Sequence, residues 1–247
     1  MKNVAWLFLF AASAAQAEEA VVAVAANFAP AARVLAYLFE ADAPHTVTIS
    51  SGSTVKLYSQ IMNGAPFDVF LSADEDTAAR LESSGLGVRD SRFTYAVGRL
   101  VVWSADPATV LDDWQTTLQQ PGIRRLAIAN PELAPYGRAA REALQHAELW
   151  NLLADRIVLG ENVAQALTLT VTANADVGFV ALSQALSSSL DGQGSYLPIP
   201  ENLHEPIRQD AVLLGRGADN PAATAFLAFL QSDEARSRVT ALGYGTE

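Results

Sequence analysis

The sequence contains no cysteine and few basic residues, and each shortage excludes a class of function. Without cysteine there is no disulfide, no thiol nucleophile, no thiolate metal site and no lipid-modified cysteine anchor. The chain has 16 basic and 27 acidic residues, a formal net charge of −11, which opposes nucleic-acid phosphates and anionic lipid headgroups. We therefore expect no nucleic-acid partner. Half of the 247 residues are apolar, which supplies a large core and excludes a disordered tail protein.

The N-terminal segment has the pattern of a secretory leader. Lys2 precedes an apolar run from Val4 to Ala15, and residues 15–17 (AQA) fit a small-x-small cleavage site. This pattern predicts a signal peptide at residues 1–17, cleaved after Ala17. A membrane anchor would need ~18–20 apolar residues, and no later segment is long and apolar enough either. We therefore expect a periplasmic protein that is not inserted in a membrane.

The first part of the mature chain alternates between short apolar runs and helical patterns. Strands are predicted at 20–25, 46–50 and 68–72, with helices over 28–39 and 55–62 between them. The second helix is expected to end at Asn63 and Gly64, with Pro66 just beyond. This order predicts a parallel α/β sheet with helices on both faces.

The middle of the chain repeats the same alternation. Strands are predicted at 100–103, 126–129 and 177–181, helices over 137–150 and 163–171, and a late strand at 211–214 before a closing helix over 221–230. No linker rich in proline, glycine or serine separates two halves. If there are two lobes, we expect the chain to pass between them through strands.

Sequence motifs of common enzymes are absent. There is no Gly-x-Ser-x-Gly, no Gly-x-x-x-x-Gly-Lys and no Gly-x-Gly-x-x-Gly after a strand, and the three histidines lack ligand spacing. We therefore predict no catalytic residue.

Polar residues instead follow the predicted strands, where helices begin. Asn27 is predicted as an N-cap, Ser53 and Thr54 open the second helix, Tyr136 opens a third, and Asn162 with Gln165 forms a capping-box pattern before Val163. Open α/β sheets bind ligands at the carboxyl ends of their strands, and helix N-termini there present unpaired N–H groups. Two such turns from each lobe would form an oxyanion site without lysine or arginine.

The most specific motif is residues 63–74 (NGAPFDVFLSAD), supported by segments 25–28, 56–61, 130–132 and 178–184. In these motifs the chain resembles the periplasmic molybdate-binding proteins, the solute receptors of bacterial molybdate ABC transporters, over about residues 20–246. Two departures stand out. Many relatives have glycine and serine where this chain has Val55 and Thr54, and some carry a binding tyrosine where it has Ala181.

The resemblance implies a type II periplasmic binding protein fold, α/β with two lobes and a ligand cleft between them that closes on a tetrahedral oxyanion. It places side-chain contacts at Asn27, at Thr54 with Ser53 beside it, and at Tyr136. Backbone N–H contacts fall on Ala26 and Val163. We predict lobe one at about 18–96 plus 210–247 and lobe two at about 97–209.

The predicted function is capture of molybdate or tungstate and delivery to an inner-membrane ABC permease with its ATPase. We predict a monomer without enzymatic activity or cofactor, and molybdenum held only as the oxyanion. A receptor for sulfate or another small oxyanion on the same fold remains an alternative. Phosphate is disfavoured unless an acceptor in the site receives its proton. A periplasmic α/β enzyme would need a convergent nucleophile and base, and an adhesion or structural module would show no stabilisation by a ligand.

Overall fold

The computed structural model describes residues 17–109, 111–190 and 193–246. The predicted leader lies outside these residues except for its last residue, Ala17. Within the described ranges, none of the helices is both long enough and apolar enough to cross a membrane.

The described residues form ten strands and nine α-helices, in an order that alternates over much of the chain. The strands are β1 (Glu19–Ala25), β2 (Thr46–Gly52), β3 (Val69–Leu71), β4 (Phe93–Gly98), β5 (Leu100–Ser104), β6 (Leu126–Ala129), β7 (Ile157–Gly160), β8 (Val177–Ala181), β9 (Ser195–Pro198) and β10 (Ile207–Leu213). The helices are α1 (Ala29–Asp42), α2 (Thr54–Met62), α3 (Glu75–Ser83), α4 (Trp114–Gln119), α5 (Pro135–His146), α6 (Val163–Val171), α7 (Leu182–Ala185), α8 (Pro221–Leu230) and α9 (Asp233–Ala241).

The strands form two five-stranded sheets, with orders β2-β1-β3-β10-β4 and β7-β6-β8-β5-β9. β1 pairs in parallel with β2 and β3, and β6 pairs in parallel with β7 and β8. β10 and β5, however, run antiparallel to both of their neighbours. The prediction of a parallel sheet is therefore confirmed for β1, β2 and β3, but each sheet also contains one reversed strand, which is the one that enters it from the other sheet.

The chain passes from the first sheet to the second through strands, as expected, but it returns through a longer segment that is not a strand. β4 and β5 are separated by Arg99 alone, and residues 199–206 lead from β9 back to β10. Ile207 of β10 pairs with Gly98 of β4, so the outgoing and returning segments lie side by side.

Alternating side chains on β1 explain why helices cover both faces of the first sheet. Val22 and Val24 pack in the apolar cluster that includes α1 and α8, whereas Ala23 packs with Leu57 and Ile61 of α2 on the other face. The two faces are thus buried by different helices, as the strand period of two requires. The prediction of helices on both faces is confirmed.

Most predicted elements are confirmed, with differences at their ends. α5 starts at Pro135 and ends at His146, earlier than predicted at both ends, and α9 follows the helix that was expected to close the chain. Asn162 caps α6 as predicted, accepting from the Gln165 N–H at 3.0 Å. Asn27 is not an N-cap: α1 starts at Ala29 after Phe28, and no side chain caps it.

Candidate oxyanion-binding site

Four strand-to-helix turns, two from each sheet, meet at a small pocket between the two sheets. They follow β1, β2, β6 and β7 at their carboxyl ends. Its lining comprises Ala25, Ala26, Asn27, Gly52, Ser53, Thr54, Ala73, Ala134, Pro135, Tyr136, Asn162 and Val163. The structure thus brings all six predicted site residues to one pocket, although 137 residues of sequence separate the first from the last.

Ser53 and Thr54 present two buried hydroxyls at the start of α2. The Thr54 Oγ1 accepts a hydrogen bond from the Ala73 N–H at 3.3 Å, so its own proton is free to be donated. The Ser53 Oγ is buried and has no hydrogen-bond partner among the described residues. A buried hydroxyl without a partner costs free energy, and an oxygen ligand in the pocket would relieve that cost.

Asn27 is held from two sides in the turn after β1. Its side-chain Nδ2 donates to the Gln209 Oε1 at 2.8 Å, and its main-chain carbonyl oxygen accepts from the Tyr244 hydroxyl at 2.8 Å. An amide nitrogen has two protons, so a second one remains for a ligand. Ala26 lines the pocket, but its N–H donates to the Gly52 carbonyl at 2.9 Å. The predicted backbone contact from Ala26 is therefore not offered by this structure, because β1–β2 pairing extends through that residue.

The second sheet contributes Tyr136 and Val163, both at helix N-termini. Tyr136 is the second residue of α5 and Val163 the first of α6, so neither backbone N–H has an acceptor within its own helix. The Tyr136 hydroxyl is buried and lacks a partner among the described residues. Gly137 follows it, and a Cβ there would press on the Ala129–Asn130 backbone, so glycine lets α5 start close to β6.

Burial keeps the phenols of the site protonated. It raises the pKa of Tyr136, and likewise those of Tyr95 and Tyr244. For Tyr136, the facing amides of Gln209 and Asn27 offset part of this rise in pKa. Neither amide forms a hydrogen bond with the Tyr136 hydroxyl in the structure. The raised pKa keeps the Tyr136 hydroxyl protonated, so that it can donate a hydrogen bond.

Neither a cation nor a carboxylate is part of the pocket lining formed by the described residues. The charged residues instead pair across the cleft, outside the pocket. Lys56 contacts Glu161 at 2.6 Å, and Arg138 contacts Asp74 at 2.6 Å. Glu161 is not part of the pocket lining, and Lys56 partly balances its negative charge.

A backbone contact also crosses the cleft, since the Val55 N–H donates to the Leu133 carbonyl at 3.4 Å. These three contacts join the first turns of α2 and α3 to the other sheet. The structure therefore shows the two sheets held together around the pocket.

Three buried residues behind the pocket were not predicted. The Gln209 Oε1 accepts from Asn27, and the Tyr95 hydroxyl is shared between that oxygen at 3.2 Å and the Ser72 carbonyl at 3.0 Å. Tyr244 donates to the Asn27 carbonyl. The sequence offered no signal for Gln209, which lies between Arg208 and Asp210 before the predicted strand at 211–214, and none for the two tyrosines.

A resident metal centre is not indicated in the part of the chain that the structure describes. Groups of three or more His, Cys, Asp or Glu side chains that could hold a metal ion do not occur there. The donors around the pocket are hydroxyls, an amide and backbone N–H groups, which suit an oxyanion rather than a cation.

Two linked α/β sheets with an interlobe pocket of hydrogen-bond donors define a two-lobed solute-binding protein. Residues 20–245 match the family described as bacterial extracellular solute-binding protein, and the chain belongs to that family. It is 48% identical to the molybdate-binding protein ModA of Azotobacter vinelandii, over 96% of this chain and 93% of that protein. It is 45% identical to ModA of Rhodobacter capsulatus, over 94% and 90%.

A solved structure supports the same assignment. The periplasmic molybdate-binding protein of Azotobacter vinelandii superposes with a TM-score of 0.88 at 40% identity. The match covers 92% of this chain and 99% of that one. The type II periplasmic binding fold is thereby confirmed.

Proposed function

We propose that this protein is a periplasmic receptor that binds molybdate or tungstate and delivers it to an inner-membrane ABC permease with its ATPase. The observation that carries the proposal is the pocket itself, where four strand-to-helix turns present buried donors and no charged side chain. Similarity to the two ModA proteins over most of the chain supports molybdate as the ligand. The proposal is one of binding without catalysis and without a cofactor, and the described residues that line the pocket are hydrogen-bond donors and apolar groups.

In this proposal five groups hold the ion. The side chains of Asn27, Ser53, Thr54 and Tyr136 and the N–H of Val163 donate hydrogen bonds to its oxygens. Molybdenum is held only as the oxyanion, so no side chain contacts the metal. Charge-assisted hydrogen bonds to a dianion are short and directional, and a desolvated cleft strengthens them against the screened negative charge of the surface.

We further propose that the protein consists of two lobes, about 18–96 plus 210–247 and about 97–209, that close around the ion. Sheet membership supports these limits, because β4 ends at Gly98 and β10 starts at Ile207 in the first sheet. The two connecting segments form the hinge, and closure buries the ligand and creates the surface read by the permease.

For its location, we propose export by the leader at residues 1–17, cleavage after Ala17, and a monomer in the periplasm. The periplasmic relative with 40% identity supports this location. A formal net charge of −11 is consistent with the absence of nucleic acid and membrane lipid among its partners.

Selectivity is expected to follow the size of the anion. Sulfate and molybdate are both tetrahedral dianions, but molybdenum–oxygen bonds are longer, and tungstate is nearly the size of molybdate. A cage of helix termini that fits the larger ion leaves the oxygens of sulfate beyond the usual ~2.7–3.2 Å of some donors. Sulfate would then lose hydration without full replacement.

Calorimetric titration and thermal-shift curves of ligand-stripped protein test the proposal. Molybdate and tungstate should stabilise the fold similarly and sulfate far less at matched low concentrations, since a ligand that binds only the folded state stabilises it by RT ln(1 + [L]/Kd). Hydrogen phosphate serves as the protonated comparison. Equal stabilisation by sulfate and molybdate would contradict selection by size and favour a general oxyanion receptor.

A further inference from the structure

Gln209 occupies an unusual position for an uncharged polar side chain. It lies in β10, on the segment that returns from the second sheet, and it is fully buried. The pairing of β10 with β4 is irregular between Gln209 and Asp210. Asp210 is paired with Arg92 and Thr94, whereas Gln209 faces the residues behind the pocket.

The oxygen of the Gln209 amide is fully used. Its Oε1 accepts from the Asn27 Nδ2 at 2.8 Å and lies 3.2 Å from the Tyr95 hydroxyl. A carbonyl oxygen has two lone pairs, so these two neighbours occupy it. The amide is thereby oriented, and its Nε2 must point elsewhere.

The Gln209 Nε2 points to the same place as the Tyr136 hydroxyl. A Cβ built on Gly98 would overlap that hydroxyl and lie 3.0 Å from the Nε2, so both atoms lie against the bare backbone of Gly98. Both are buried without a hydrogen-bond partner among the described residues. One is a donor only, and the other can both accept and donate.

We propose that Gln209 is a positioning residue that sets the direction of the Tyr136 proton. Its Nε2 lies beside the phenol without bonding it in this structure, and when a ligand is bound its N–H is directed at the phenol oxygen, which leaves the phenol proton to be donated into the pocket. The same amide holds Asn27 with its second Nδ2 proton toward the ligand. One glutamine therefore makes a residue from each sheet act as a donor.

The consequence, which rests on the proposed function, is a pocket that recognises the fully ionised class of tetrahedral oxyanion. A reversed amide would accept the Tyr136 proton and turn a phenol lone pair toward the ligand. That arrangement would suit an anion that carries a proton. Gln209 thus favours an anion with no proton to donate.

A double-mutant cycle tests this role. Gln209→Met and Tyr136→Phe are made singly and together, and molybdate dissociation constants are measured by calorimetry. A lost hydrogen bond to a charged partner predicts a ~10-fold weaker affinity for Tyr136→Phe, and a comparable loss for Gln209→Met. The double variant should bind only ~2-fold more weakly than either single variant, because both changes remove the same directed proton.

Gln184→Met is the matched control, because Gln184 is also buried but caps α7 through the Ala181 N–H, outside the pocket lining. It should show no coupling with Tyr136→Phe. If Gln209→Met does not fold, Gln209→Glu keeps the shape and still accepts from Asn27. Its carboxylate cannot donate to the phenol, so Tyr136→Phe should cost no further affinity in that background.

Two results would overturn the assignment. Additive losses of Gln209→Met and Tyr136→Phe, or a Gln209→Met variant with native affinity, would show that Gln209 does not act through the phenol. In either case the native protein would still bind molybdate, and the proposed function would stand. A native protein that binds none of molybdate, tungstate, sulfate and phosphate would overturn both proposals.

Discussion

The ion pair between Asp74 and Arg138 offers a direct test of how closure contributes to binding. Asp74 caps α3 by accepting from the Thr77 N–H at 2.8 Å, and its other oxygen accepts from the Arg138 Nη2 at 2.6 Å. Arg138 lies in α5, two residues after Tyr136. Because the pair joins the two sheets, we expect it to form only when the lobes are closed.

Replacing Arg138 with glutamine should weaken molybdate binding by about tenfold. A hydrogen bond to a charged group contributes ~1.5–3 kcal/mol, and partial exposure of the arginine places this pair at the lower end. About 1.4 kcal/mol is a factor of ten in Kd. The loss should appear as faster dissociation, because closure follows capture of the ion. The cap of α3 stays, so the stability of the unliganded protein should change little.

Stopped-flow fluorescence with calorimetry measures both quantities, and Lys56→Gln is the comparison. The Lys56–Glu161 pair has side chains 53% and 37% exposed, so its loss should change Kd by less than ~5-fold, as expected for a surface pair. Raising the salt concentration should reduce the difference between native protein and Arg138→Gln. An unchanged dissociation rate for Arg138→Gln would refute the assignment of this pair to the closed form.

Three further outcomes are expected. Gly98→Ala should weaken molybdate binding by at least ~10-fold in calorimetry, because its Cβ would displace the Tyr136 hydroxyl; native affinity would show that the hydroxyl is not needed there. Arg92→Met should lower the free energy of unfolding in urea by ~1.5–3 kcal/mol, since the buried carboxylate of Asp210 loses its countercharge and keeps only the hydrogen bond from the Thr94 hydroxyl; a loss below ~1 kcal/mol would contradict this. Burial raises the pKa of the three buried tyrosines, so their contribution to stability is complete below pH ~10 and is lost as the pH rises further. Circular dichroism along an alkaline titration checks this, and stability that is constant up to pH ~12 would contradict it.

Several site residues could be predicted because their signals are local. Ser53 and Thr54 stand between a strand and a helix, and Asn162 and Gln165 have the spacing of a cap. These patterns involve residues a few positions apart, so they can be read from one stretch of sequence. The position of Tyr136 at the start of a helix was visible for the same reason.

Other features depend on distant parts of the chain and could not be predicted. Asn27 has a residue type that favours caps, yet its side chain bonds Gln209, 182 positions away. The N–H of Ala26 pairs with Gly52, because β2 continues two residues beyond the predicted strand. In both cases the group bonds a residue that is distant in sequence, so the neighbouring residues could not indicate its partner.

The sequence by itself determined seven of the ten strands and five of the nine α-helices that the structure describes, with the polar turns that join them, because hydrophobic periodicity and capping act within about one turn or one strand. Only the tertiary structure decided the reversed direction of β5 and β10, the ion pair that joins Asp74 to Arg138, and the orientation of Gln209. Each of these depends on groups that are brought together by crossing between the two sheets. These arrangements are stabilised by burial and pairing in the folded chain. The neighbouring residues in the sequence therefore do not indicate them.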